Sequence, residues 1–298
     1  MPSGVEAALP QEVATPDDLE MIRSVVSFGE QLGYEGFWVS DPGLGHGASL
    51  DPVTMLAFAA ALVRQPSTRL GAALFVLPNF SPVRLAQETA AIDRLSGGRL
   101  TVGVGLGPKN QAAVAYERPG TRIDRLVHGV EVLRAIWGGR PVEFTEGGRT
   151  TTVDHIAPGP EQAGGPPLWM GGSSPEALRR IAESADGFIG AGAAGFDRFL
   201  THLATLRTHL DEPAAFPVAK RVYVGWTRGS AENVELCHHW MGRIYRNPDL
   251  AETVCLMRGP GECAEQVEAL HQAGCNHVII HPLFDHDRHL EQLAERLR

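Results

Sequence analysis

The residues with the plainest chemical potential form a turn, Gly171-Gly172-Ser173-Ser174-Pro175. Two glycines allow a ligand close to the backbone, and two hydroxyls follow. A helix opening at Pro175 would leave its first N–H groups unpaired. Together these suit an anion, most naturally a phosphate. The same residues also make a well-capped helix after a tight turn. A second run, Gly103-Val104-Gly105-Leu106-Gly107, begins like a dinucleotide fingerprint, but Pro108 stands where its third glycine belongs. A glycine-rich strand end with room for a planar ligand or a neighbouring backbone is the better reading.

Asp41 follows the apolar run 36–40, where a carboxylate needs a partner or solvent. It either orients a ligand or caps the glycine-rich loop 42–50. His46 in that loop and His281 at the end of an apolar run are the candidate proton donors. Lys109 and Asn110, in the mixed loop 108–111, are candidates for a substrate pocket, with Lys109 able to meet an anion. No metal site is expected. His238 and His239 are adjacent on a helix and point apart, and the cluster His286-Asp287-Arg288-His289 reads as a terminal loop. There is no HxH pair near the first strand and no GxSxG elbow, and none of Cys237, Cys255, Cys263 and Cys275 forms a CxxC pair. Metal-dependent or nucleophilic hydrolysis is poorly supported.

The 298 residues are 43% hydrophobic and 20% charged, enough to bury a large core, and the net charge is −9. That acidity disfavours nucleic acid and anionic membranes as partners and leaves a small molecule. The apolar run 55–63 is far too short to span a bilayer. The opening Met1-Pro2-Ser3-Gly4 has neither a basic nor an apolar leader region, and the cysteines read as reduced thiols, so a cytoplasmic protein is expected.

The elements that must position these residues alternate between short β-type runs and helical stretches. Strands are expected at 5–9, 36–40, 69–77, 100–104, 168–170, 187–189, 221–226 and 277–281. Helices are expected from Thr15-Pro16 to Gly33, over 52–63, from Ser81-Pro82 to Gly97, over 122–137, from Ser174-Pro175 to Ala185, across 231–273 with breaks at Pro248 and Pro260, and over 289–297. The stretch 142–156 reads as an inserted hairpin between strands 4 and 5. The pattern spells an α/β fold, a (β/α)8 TIM barrel forming one domain over 1–298, with a doubly wound sheet as the alternative. In such a barrel the chemistry sits at the C-terminal ends of the strands, which selects the residues above.

Several runs together resemble the bacterial luciferase-like monooxygenase family: Leu74-Phe75-Val76-Leu77-Pro78, Pro82-Val83-Arg84-Leu85-Ala86, Asp93-Arg94-Leu95-Ser96-Gly97-Gly98-Arg99-Leu100 with Gly103-Val104-Gly105, the run from Pro167 through Pro175, and Ala185-Asp186-Gly187-Phe188. The resemblance implies a barrel with an insertion, a homodimer, and a flavin-type cofactor, FMN or the deazaflavin F420. It implies that the Gly171–Ser174 turn holds part of the cofactor's phosphate, and that a non-proline cis peptide near Ala73-Leu74 backs the ring. On this reading Asp41, Ala73, Leu74, Gly105, Gly107, Gly171, Gly172, Ser173 and Ser174 are the cofactor-binding residues. FMN would bring oxygen chemistry, with a separate flavin reductase as electron donor; F420 would bring hydride transfer. Three departures matter. Pro42 stands where the family's sugar-phosphate dehydrogenases carry His, Pro108 where they carry an acid, and Ala194 where they carry a phosphate-contacting Lys. That activity is not expected here, and neither is light emission. The expectation is a flavin- or deazaflavin-dependent oxidoreductase acting on an unidentified small organic substrate. The alternatives are a non-catalytic flavin-binding paralogue and a barrel hydrolase or lyase acting on a phosphorylated substrate.

Overall fold

Residues 1–11, 15–42, 49–107, 121–146, 148–153, 155–227 and 229–298 are described by a computed structural model. Eight parallel strands close into a barrel: β1 (Val5–Ala8), β2 (Gly36–Val39), β3 (Arg69–Val76), β4 (Leu100–Gly105), β7 (Leu168–Gly171), β8 (Gly187–Gly190), β9 (Val218–Val224) and β11 (His277–Pro282). Closure is made by β9, which pairs with β8 on one side and β11 on the other. The helices α1 (Pro16–Leu32), α2 (Pro52–Leu62), α3 (Pro82–Leu95), α4 (Arg122–Trp137), α5 (Pro175–Ser184), α6 (Phe196–Arg207), α7 (Ala231–Tyr245), α8 (Ala251–Val254), α9 (Pro260–Gln272) and α10 (His286–Leu297) complete the alternation. The inserted hairpin is present as β5 (Val142–Glu146) and β6 (Arg149–Val153), an antiparallel pair outside the barrel.

Strand alternation sorts the apolar residues into two cores. Val5, Ala7, Phe37, Val39, Val278 and Ile280 pack outward against the helices. Ala8, Trp38, Ala73, Trp169, Ile189, Ala219 and Ile279 fill the barrel interior. The two tryptophans stack at 5.5 Å and leave no room beside them; a Cβ on Gly71 would stand 2.8 Å from Trp38 Cδ2. At the N-terminal end the barrel is plugged by Glu6, fully buried, whose carboxylate accepts from Trp38 Nε1 and Arg69 Nε, both at 2.7 Å.

Four sequence expectations differ from the structure. A helix, α6, fills the stretch between the sixth and seventh barrel strands, which had no assignment. The seventh strand begins at Val218 rather than Arg221. The long helical region is interrupted by β10 (Cys255–Leu256), which pairs with the upper part of β9 where β8 has ended. The His286–His289 cluster opens α10 and is not a loop.

Candidate active site

The C-terminal mouth of the barrel holds a cavity of about 520 Å³, within the size range of small-molecule and cofactor sites. Asp41, Ala73, Leu74, Gly107 and the turn Gly171, Gly172, Ser173 and Ser174 all line it. Residues that are far apart in the chain therefore meet in one space.

The wall formed by β3 is irregular. Its pairing with β4 shifts register between Ala72 and Phe75, and the Ala73–Leu74 peptide is cis, as expected. The Asp41 carboxylate accepts the Val76 N–H at 2.9 Å and so ties the end of β2 to the end of β3. The Leu74 side chain lies over the glycines of β4 and β7. A Cβ on Gly105 would come within 2.9 Å of Leu74 Cδ2, and one on Gly171 would press into the same methyl. Gly105 is buried beneath this platform and is not itself part of the cavity wall.

Strand β7 delivers the glycine-serine turn directly to the start of α5. Ser174 caps that helix, its Oγ accepting the Ala177 N–H at 3.2 Å. The cap reading of this turn is therefore realised, and the cavity-facing position keeps the anion reading open alongside it. Arg180, on the same helix, adds a cation to this end of the cavity. Glu176 is fully exposed; hydrogen bonds from its own N–H and from Ser174 hold its carboxyl below the usual range. It is not part of the cavity wall.

The opposite wall carries Arg221 from β9 and Ile244 and Tyr245 from the end of α7. The Tyr223 and Tyr245 hydroxyls are hydrogen-bonded at 2.6 Å, and Arg221 Nη1 donates to the Tyr223 oxygen at 3.5 Å. Near the β1 and β2 ends, Gln11 Oε1 and Ser40 Oγ are buried on the cavity wall and have no hydrogen-bond partner among the described residues.

His281 does not reach this space. It is fully buried, packed against the rings of Tyr223 at 5.1 Å and Trp240 at 5.3 Å, and neither ring nitrogen has a hydrogen-bond partner among the described residues. Burial, then the charge of Arg221, holds its pKa well below the usual histidine value, so the ring is neutral. The strand-end rule selected His281, but aromatic residues from β9 and α7 close over it. His46, Lys109 and Asn110 lie outside the described residues. Arg180, Arg221 and Tyr245 were not singled out by sequence. For Arg221 the signal was present: Ala219, Arg221 and Tyr223 alternate along β9.

A different set of motif residues turns out to be fastening. Asp93 is fully buried and accepts from the backbone N–H groups of Glu161 and Gln162. Arg99 donates to the carbonyls of Gln65 and Thr68. Asp186 accepts the Leu168 N–H and an Arg134 guanidinium. These contacts hold the loops that enter β3, β4 and β7.

Comparison with known proteins agrees with this architecture. Residues 2–252 match the family model described as luciferase-like monooxygenase. The chain is 24% identical to the F420-dependent glucose-6-phosphate dehydrogenase of Amycolatopsis mediterranei, over 89% of this chain and 90% of the relative. Among solved structures it is similar to a monooxygenase, RslO1, from Streptomyces bottropensis, with a TM-score of 0.81, 20% identity and 98% of both chains covered. It is also similar to an F420-dependent secondary alcohol dehydrogenase in complex with an F420-acetone adduct, with a TM-score of 0.79, 18% identity and full coverage of both chains.

Proposed function

The chain belongs to the luciferase-like monooxygenase family, and from that footing we propose that it is an oxidoreductase that binds F420 or FMN in the barrel mouth and acts on a small organic substrate. The observation that carries this is the single cavity joining the β3 platform to the glycine-serine start of α5. The residues present fit such a group. The platform is apolar, Gln11 and Ser40 offer buried polar atoms with no partner among the described residues, and α5 offers an anion site with Arg180 beside it.

Ala73 and Leu74 would support the ring, and Gly171, Gly172, Ser173 and Ser174 would hold the phosphate. Asp41 keeps the platform in place through its bond to Val76. Apolar walls from Val76, Leu126, Met170 and Ile189 exclude water from the reacting atoms. The bound group supplies either hydride transfer, as F420, or oxygen activation, as reduced FMN. With FMN, a separate flavin reductase would supply the electrons. The reading carries with it a cytoplasmic homodimer. Among the described residues no helix is long and apolar enough to cross a membrane.

The relatives favour oxidoreduction over hydrolysis of a phosphorylated substrate. The non-catalytic reading rests on Pro42, which stands where the resemblance to the family's sugar-phosphate dehydrogenases implies His. Reduced F420 and reduced FMN, each mixed with the protein under argon and under air with a panel of small carbonyl compounds, separate these possibilities. Reoxidation faster than that of the free cofactor supports catalysis. Binding with no acceleration under any condition favours the non-catalytic paralogue.

A further inference from the structure

Arg221 is the charged group of the cavity that the cofactor reading leaves unused. The closed order β1-β2-β3-β4-β7-β8-β9-β11 puts β9 four strands from β3, on the opposite wall. The residues assigned to the cofactor's ring and phosphate lie on β3 and at the β7–α5 turn. Arg221 faces them across the mouth, half-buried, and its one hydrogen bond among the described residues is the long one to Tyr223. Among the described residues it has no carboxylate partner. The only acid among the described residues of the wall is Asp41, on the β2 side, already engaged with Val76.

A guanidinium turned toward an apolar cavity without a counter-ion is unfavourable unless an anion comes to it. The chain as a whole carries a charge of −9, so a cationic wall does not follow from composition. Tyr245 lines the same wall, its hydroxyl hydrogen-bonded to that of Tyr223, and the backbone at Gly192 runs close to both oxygens. A Cβ there would stand 2.5 Å from the Tyr245 oxygen and 2.6 Å from that of Tyr223. Ile189 and Ile244, also on the cavity wall, are apolar. A planar fork beside a hydroxyl matches a carboxylate, which accepts two parallel N–H bonds.

We propose that Arg221, with Tyr245 beside it, binds a carboxylate of the substrate, so that the enzyme acts on a small organic acid with an apolar body. The fate of that acid rests on the oxidoreductase reading; its binding rests on the cavity alone.

The test measures binding by calorimetry, on apoprotein and on protein loaded with whichever cofactor it takes. The probes are benzoate and hexanoate, their neutral amides, and inorganic phosphate. The expected result is that the carboxylates bind at least about tenfold tighter than the amides, as a charge-assisted pair should. Arg221→Met abolishes that preference, Arg221→Lys keeps part of it, and neither changes cofactor affinity. Should Arg221→Met fold poorly, Tyr245→Phe serves, weakening carboxylates and leaving amides unchanged. Equal binding of acids and amides, no binding of either, or tighter binding of phosphate than of both acids overturns the proposal. So does a loss of cofactor affinity in Arg221→Met as large as that from Ser174→Ala, which would give Arg221 to the cofactor. A carboxylate preference that depends on Arg221, in a protein that takes neither cofactor, would overturn the oxidoreductase reading and leave the acid-binding subsite standing.

Discussion

Gly171→Ala is the substitution that most sharply separates a cavity-shaping residue from a merely structural one. An added Cβ would lie about 1 Å inside the ordinary contact distance to Leu74 Cδ2, and its other close neighbour, the Ile189 carbonyl, sits at an acceptable 3.4 Å. Overpacking of this kind costs about 1–3 kcal/mol when nothing yields. Here something does yield, because Leu74 is half-buried and can swing into the cavity. The expected loss of stability is therefore near the low end, about 1 kcal/mol. The displaced side chain then occupies cofactor space, and cofactor affinity should fall about tenfold or more, a change of about 1.4 kcal/mol. Leu74→Ala removes the obstacle, so the double variant should bind better than Gly171→Ala alone, with a coupling of about 1 kcal/mol or more. Denaturant midpoints and cofactor fluorescence titrations on the four proteins give both numbers. Gly103→Ala is the control: its Cβ would press into the Ala72 carbonyl, which cannot rotate away, so stability itself should collapse. Unchanged cofactor affinity in Gly171→Ala, or no recovery in the double variant, would refute the reasoning.

Three further outcomes are expected. Lys220 is buried against the carbonyls of Ala191 and Ala194, at 2.8 and 2.7 Å, and burial lowers its pKa to about 7 from 10.5. The unfolded chain then binds more protons between those values, so this residue makes stability rise with pH above 7, by at most about 1.4 kcal/mol per unit. Relative to Lys220→Met, the wild type should gain stability between pH 7 and pH 9 in urea titrations; a constant difference would contradict the shift. Glu6→Leu strips the partner from Trp38 Nε1 and from Arg69, which keeps Glu35. It should cost about 3 kcal/mol or more of stability, yet leave cofactor affinity intact, since it lies at the other end of the barrel. His281→Phe replaces a ring whose nitrogens are unpaired by an apolar ring of similar size, and should be neutral or stabilising in thermal melts without altering cofactor binding.

The barrel was legible because its strands keep a period of two or run continuously apolar, and because proline and glycine mark the helix ends. The glycine-serine turn was legible because its chemistry lies within a few consecutive residues, whereas the irregular end of β3 was expected only from the resemblance to the family. What sequence missed depended on contacts between distant elements. The two residues of β10 become a strand only by pairing with Tyr223 and Val224. His281 looked accessible until α7 brought Trp240 over it. Arg221 was hidden by a strand start placed three residues late; begun at Val218, the alternation sends Ala219, Arg221 and Tyr223 inward together. The helix α6 was an avoidable omission, since Phe199, Leu203 and Leu206 recur at helical spacing.

The most direct measurement is a titration of purified apoprotein with oxidised F420 and with oxidised FMN, following cofactor fluorescence, repeated on Ser174→Ala and Gly171→Ala. Saturable binding of one cofactor at micromolar concentrations, weakened in both variants, is the predicted result. Binding of neither cofactor, or binding that both variants leave untouched, would contradict the assignment of this cavity to a flavin-type cofactor.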